Sequence, residues 1–200
     1  MSSETTVIVL AGGASTRMKR PKALLAFGDE TLIERVVCRL APLANRTIVV
    51  SAAHVPLPAL PRGVRVVEDT IPLLGPAAGI LHGLRATETD LSFVCSCDQP
   101  FPSVALGRLL VEHAKESDLV IPRWHGRLQP LFAVYRRSLL PHFEREIGRG
   151  ERRLLSLVAG ASPREVPEKE IAAVDPEGRS FFDVDTPGKY RAALRIAAGE

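Results

Sequence analysis

Val7-Ile-Val-Leu-Ala-Gly-Gly-Ala-Ser-Thr-Arg-Met-Lys-Arg-Pro-Lys-Ala-Leu-Leu25 is the stretch that decides the fold. An apolar run stops at two glycines, and a basic segment follows. Side chains as apolar as Val7, Ile8, Val9 and Leu10 suit a strand buried on both faces. Gly12 and Gly13 then let the backbone turn sharply and come close to a ligand. Exposed amides in such a turn, with Arg17 and Lys22 just beyond, would bind a polyanion. The loop contains neither Gly-x-x-x-x-Gly-Lys-Ser/Thr nor Gly-x-Gly-x-x-Gly, so it is a phosphate cradle of a third kind.

Working outward from this loop, Gly28-Asp-Glu-Thr31 supplies a turn and an N-cap, and Leu32, Ile33, Val36, Val37, Leu40 and Leu43 follow at helical spacing. Thr47 to Ser51 is strand-like, the Pro-rich segment His54 to Pro61 an extended loop, and Val64 to Glu68 a strand, with a helix beginning near Pro76. Leu91 to Cys95 is a further apolar strand ending at Asp98, and a helix from Val104 to Lys115 comes after it. Strands alternating with helices imply right-handed crossovers and an α/β fold, a three-layer Rossmann-like, mostly parallel sheet flanked by helices. Ligands in such sheets bind beyond the carboxyl ends of the strands. That rule gathers the loop after Leu10, Ser51, Asp69 and Asp98 along one edge, although they are far apart in sequence. The later part is less regular, with a strand at Leu131 to Tyr135, a helix from Leu139 to Ile147, and a last helix capped by Thr186 with Pro187 in its first turn.

No repeat or linker interrupts the 200 residues, a length that suits one domain with a substantial core. With 46% hydrophobic and 24% charged residues the composition is that of an ordinary globule. A net charge of +3 fits anionic substrates and fits an unremarkable surface equally well. Seven Phe, two Tyr and one Trp, scattered along the chain, are not the stacking platform of a nucleic-acid binder. No apolar stretch approaches the roughly 18 residues needed to cross a bilayer, and the first apolar run has no basic segment before it, so a cytoplasmic protein is expected. Cys38, Cys95 and Cys97 are expected to be small buried thiols in a reducing compartment, since Cys95-Ser-Cys97 lacks the Cys-x-x-Cys spacing. His54, His82, His113, His125 and His142 show no close metal-ligand spacing, and no nucleophile elbow is present.

A resemblance extends this reading. Leu10-Ala-Gly-Gly-Ala-Ser-Thr-Arg-Met18 followed by Lys22-Ala-Leu-Leu25 resembles the signature loop of the nucleotidyltransferases that activate sugar phosphates, isoprenoid precursors and molybdopterin. Glu68-Asp69, Gly75-Pro-Ala-Ala-Gly-Ile80, Cys97-Asp-Gln-Pro-Phe101, Pro130-Leu-Phe-Ala-Val-Tyr135 with Leu139-Leu-Pro141, and Phe182-Asp-Val-Asp-Thr-Pro187 follow. In order, spacing and total length these segments resemble the molybdenum cofactor guanylyltransferase family over nearly the whole chain. Lys19 stands where relatives commonly have Gly, Ser51 where Asn is frequent, and Asp183 and Asp185 where two asparagines are often found.

The resemblance implies a magnesium-dependent transfer of GMP from GTP to the terminal phosphate of molybdopterin or molybdenum-molybdopterin, with pyrophosphate as the leaving group. Arg17 and Lys22 would stabilise the pyrophosphate charge. Asp98 would hold Mg2+, with Asp185 or Asp183 as a second ligand. Leu10, Ala11, Gly12, Gly13, Ser51, Asp69, Gly75 and Gly79 would surround the nucleotide, the guanine lying against Gly75 to Gly79. Residues of about 5–120 would form the nucleotide-binding part and about 121–200 the acceptor-binding part, with His125 beside Gly126-Arg127 near the acceptor. Molybdenum-insertion or molybdoenzyme-maturation proteins would be the partners of a monomer or weak homo-oligomer.

Read from the residues alone, several of these positions stay open. Asp98, costly as a carboxylate at an apolar strand end unless paired or metal-bound, could instead cap a helix before Pro100. Asp69 could be only the polar end of a strand, and Gly75-Pro76 only a helix entry. For the whole chain, a cytidylyltransferase acting on the same pterin, another small-phosphate nucleotidyltransferase, or a nucleotide-binding module without turnover are the alternatives. Lys22 and Asp98 together argue against the last, because a binding module needs the cradle but no metal-centred carboxylate.

Overall fold

The computed structural model of the protein describes residues 4–12, 20–52, 55–71 and 75–199. Strand β1 (Thr5–Leu10) is buried at every position, as its unbroken apolar run requires of a strand covered on both faces. It pairs in parallel with β4 (Arg46–Ala52) on one side and with β6 (Leu91–Ser96) on the other, and β5 (Val64–Asp69) pairs in parallel beyond β4. On the far side of β6 the direction reverses. There β9 (Phe132–Arg136) runs antiparallel to both β6 and β7 (Leu119–Trp124), and β10 (Arg164–Val166) closes the sheet parallel to β7. The order is β10-β7-β9-β6-β1-β4-β5, with β8 (Arg127–Leu128) forming a small hairpin on β7. Both the early and the late parts of the chain therefore share one sheet.

Helices cover the two faces. Val7, Val9, Val49, Phe93, Cys95 and Val134 pack with Ile33 and Val36 of α1 (Leu32–Leu40) and Leu106 and Leu110 of α3 (Val104–His113). The opposite face, Ile8, Leu10, Ile48, Val50, Val94 and Tyr135, meets Ile80 and Leu84 of α2 (Pro76–Ala86), Phe143 of α4 (Leu140–Gly148), and Leu157 and Val158 of α5 (Leu154–Gly160). Helix α2 lies close to β1 because it carries glycines where it crosses the strand. A Cβ on Gly83 would sit 2.7 Å from Ile8 Cγ2, and one on Gly79 2.9 Å from Leu10 Cδ2. Helix α6 (Glu168–Ala172) adds Ile171 to the first face. A third cluster joins the ribbon of β2 (Ala26–Phe27) and β3 (Glu30–Thr31) to α7 (Pro187–Ala198) through Phe27, Leu32, Phe101, Val184 and Ala193.

Local signals behave as the sequence predicts. Thr31 forms a reciprocal capping box with Glu34, and Thr186 accepts from Lys189 N at the start of α7. One expectation fails. Cys38 is exposed, whereas Cys95 and Cys97 are buried. The inward positions of α1 are Leu32, Ile33, Val36, Val37 and Leu40, and residue 38 falls on the other side of the helix, one turn after Glu34. Among the described residues no helix is long and apolar enough to cross a membrane.

Candidate active site

The carboxyl ends of β1, β4, β5 and β6 converge, as the topology requires. Leu10 O accepts from Cys97 N at 3.0 Å, and Ala11 N donates to Val50 O at 2.8 Å, so the sheet continues one residue beyond β1. Leu10 and Ala11 are consequently buried, with one backbone group of each spent on the sheet. Gly12 is the first exposed residue of the loop, and a Cβ there would lie 3.6 Å from Ala52 N. Gly13, Arg17 and Lys19, together with His54, lie outside the described residues.

The chain returns to this edge at Lys22, which starts a short 3-10 turn after Pro21. Its Nζ donates to Asp98 Oδ2 at 2.7 Å, a contact between residues 76 apart in sequence. Asp98 follows β6 in a turn and does not cap α3, since the hydroxyl of Ser103 takes that role by accepting from Leu106 N. The turn is held from outside, with Arg35 Nε donating to Pro100 O at 2.8 Å and Val184 N to Asp98 O at 2.8 Å. The second bond brings Asp183-Val-Asp185 alongside Asp98. Lys189 Nζ bridges the two flanking carboxylates, at 2.6 Å from Asp183 Oδ1 and 3.1 Å from Asp185 Oδ1. Partial burial opposes ionisation of Asp185, but Lys189 and, more distantly, Lys22 outweigh it and hold its carboxyl below the usual aspartate range. The same carboxylates raise Lys189, against its own partial burial.

With Lys22 23% and Asp98 17% exposed, charges here act through a medium much less polarisable than water. Three carboxylates, Asp98, Asp183 and Asp185, face two lysines, so the cluster has room for added positive charge. Carboxylate oxygens suit Mg2+, which keeps several waters and takes one or two protein carboxylates beside substrate phosphates. Among the described residues no set of three or more His, Cys, Asp or Glu is arranged to cage a metal.

At the neighbouring strand end, Asp69 Oδ1 accepts from Ile71 N at 3.1 Å and lies 3.5 Å from His82 Nε2 on α2. Ser51 is buried at the end of β4 beside Glu68 of β5. Gly75 has φ +60 and ψ −142, a backbone shape suited to glycine, and Pro76 follows at the first position of α2. Gly79 faces Leu10, which gives it a packing role between helix and strand.

A cavity of about 730 Å³ opens on the other side of Asp98. Asp98, Gln99 and Asp183 line it, Arg127 and Arg153 bring positive charge, and Leu128, Leu131, Leu154 and Phe181 make apolar walls. Tyr135, fully buried, donates its hydroxyl to Pro130 O at 2.8 Å and so fixes the 128–131 wall from beneath. His125 is not part of this lining. It has φ +47, its amide donates to Glu168 Oε2, and its ring lies 4.9 Å from that of Trp124 at a tilt of 57°, while Arg127 two residues on does reach the cavity. Sequence reasoning did not single out Arg153 and Phe181. The only signal was the run Arg149-Gly-Glu-Arg-Arg153 before an apolar helix, which gives charge without a direction.

The family described as the MobA-like NTP transferase domain matches residues 7–166. A protein of Methanosarcina mazei named "Probable molybdenum cofactor guanylyltransferase" is 35% identical over 192 residues, covering 90% of this chain and 86% of its own. The crystal structure of molybdopterin-guanine dinucleotide biosynthesis protein A from Archaeoglobus fulgidus superposes with a TM-score of 0.81 at 25% identity, covering 98% of this chain and all of that one. The 2-C-methyl-D-erythritol 4-phosphate cytidylyltransferase of Thermus thermophilus shares the fold, with a TM-score of 0.74 at 20% identity over 99% of this chain and 100% of its own.

Proposed function

Because the chain belongs to the MobA-like NTP transferase family, we propose that it transfers GMP from GTP to the terminal phosphate of molybdopterin, free or already carrying molybdenum. The observation that carries this reading is the Lys22–Asp98 pair, whose carboxylate lines the cavity. In the reaction an acceptor phosphate oxygen attacks the α-phosphorus of GTP, the bond to the β-phosphate oxygen breaks, and pyrophosphate departs. Positioning and electrostatics supply most of the catalysis for such a transfer.

Each part of the site has a role in that step. The loop from Gly12, with Arg17 by its place in sequence, receives the triphosphate. Lys22 moves its charge from Asp98 to the developing pyrophosphate. Asp69 and the Gly75 turn border the base and ribose. The cavity fits an acceptor with a flat, partly apolar ring system and a terminal phosphate, and Arg127 and Arg153 supply the charge to hold it. Asp98 and Asp185 are the residues to hold Mg2+, which would neutralise phosphate charge and align the triphosphate. Soluble assembly partners that take up the product belong to the same reading.

A panel of GTP, CTP, ATP and UTP with purified pterin acceptor tests the base. Guanine and cytosine present different edges, and each polar group left unpaired in the wrong complex costs roughly 1–3 kcal/mol. GTP should therefore exceed CTP in kcat/KM by about tenfold or more. Faster turnover of CTP at equal subsaturating concentrations would replace the guanylyl reading with a cytidylyl one.

A further inference from the structure

We infer that His82 is a positioning residue for the nucleotide base pocket, anchoring the Asp69–Ile71 turn to α2 and so fixing how Asp69 is presented. The inference rests on the nucleotide-transfer reading above, in which Asp69 borders the base and ribose. His82 lies between Gly79 and Gly83, the residues that bring α2 close to β1, and its side chain is 12% exposed against 15% for Asp69. One ring nitrogen meets two groups of different character. Thr70 N donates toward His82 Nε2 at 3.4 Å, and Asp69 Oδ1 lies 3.5 Å from the same nitrogen.

Nε2 accepts from the Thr70 amide and ties the backbone of the turn to the helix, leaving the carboxylate to its bond with Ile71 N and to a ligand. Without this tie the turn can shift and carry Asp69 with it, which acts against nucleotide binding. Neither Lys22 nor Asp98 is touched, and the chemical step should be spared.

Few other charges compete at this place. Strand β5 brings Arg65 to the α2 side besides Asp69, and Arg65 is held on Ala86 O at the far end of the helix. Arg85 of α2 is paired with Glu144 of α4. On α4 itself, His142 bonds Leu157 O and Arg145 bonds Glu146. Strands β1 and β4 present the apolar Ile8, Leu10, Ile48 and Val50 to this face of the helix, and Arg46 at the start of β4 is paired with Glu88. Asp69 is thus the charged group in contact with His82 among the described residues.

The test is KM and kcat for GTP, together with direct GTP binding, in the parent, His82→Gln and His82→Leu. Glutamine can accept from Thr70, whereas leucine cannot. His82→Leu should raise KM for GTP about fivefold or more with kcat within twofold, and His82→Gln should restore KM to within about twofold of the parent. Should the leucine variant fail to fold, the same measurements on His82→Ala decide. His82→Leu kinetics equal to the parent, or a glutamine variant as impaired as the leucine one, would overturn the inference. A parent that neither bound nor turned over GTP would bring down the functional reading instead.

Discussion

The two sides of Asp98 are built in different ways. On the nucleotide side, β1, β4, β5 and β6 run parallel, their apolar residues are buried on both faces, and α2 is drawn against β1 by glycines that leave no room for a methyl group. On the acceptor side, β9 reverses the sheet, and the cavity wall is assembled from residues 127–131, 153–156, 181 and 183, contributed by a hairpin, the start of a short helix and a 3-10 turn. A rigid parallel platform fixes where a strand ends, and therefore where Asp98 and Asp69 stand. The loop-built wall fixes only what shape faces them. Under the proposed function, chemistry and nucleotide geometry would belong to the platform and acceptor choice to the wall.

The largest expected effects fall on the seam between the two. Asp98→Ala should lower kcat/KM for transfer by about 10³-fold or more, and Lys22→Ala should lower kcat by about 10²-fold with a smaller change in GTP affinity, since charge stabilisation at departing phosphate is used mostly in the transition state. Both variants should fold normally by circular dichroism, as neither side chain belongs to an apolar cluster. Activity of Asp98→Ala within a few-fold of the parent at saturating magnesium would remove the platform from the chemistry.

The platform can be strained from within. In Gly83→Ala the new Cβ would approach Ile8 Cγ2 at 2.7 Å and Ile8 Cδ1 at 2.8 Å, so Ile8 must shift in a fully buried strand. Overpacking of this kind costs about 1–3 kcal/mol, which for a chain of this size is a Tm lower by roughly 2–10 °C. Trimming Ile8 to Ala in the same chain should return part of that loss in a double-mutant cycle. Additive losses would show that α2 and β1 are not pressed together as described.

The smallest effect separates the wall from the platform. Arg153→Ala should raise KM for the pterin acceptor about tenfold while leaving KM for GTP and Tm within error, as expected for one exposed cation that contacts an anionic ligand. An equal rise in both KM values would mean that the two sides are not separate binding surfaces.

The same contrast explains what could be read from the sequence. A strand covered on both faces leaves a continuous apolar run, and Val7 to Leu10 and Leu91 to Cys95 announce themselves in that way, with the carboxyl-edge rule then placing Gly12, Ser51, Asp69 and Asp98 together. The direction of β9 was not legible, because a buried strand has the same apolar run whichever way it points. Nor was the contact of Lys22 with Asp98, which depends on how a loop folds back across 76 residues. Arg153 and Phe181 sit where no period applies, one at the cap of a seven-residue helix and the other at the end of a three-residue 3-10 turn. Cys38 went wrong because it lies one residue beyond inward-facing Val37, and the helix rotates it to the other side. His125 stands outside the cavity lining, two residues before Arg127.

The fate of the α-phosphorus separates nucleotidyl transfer from hydrolysis. With GTP labelled at the α-phosphate, molybdopterin and magnesium, label should move into a pterin dinucleotide while one pyrophosphate is released for each label transferred, and Asp98→Ala should abolish both. Label remaining in free guanine nucleotide while orthophosphate accumulates would show hydrolysis at the terminal phosphate, and would contradict nucleotidyl transfer by this site.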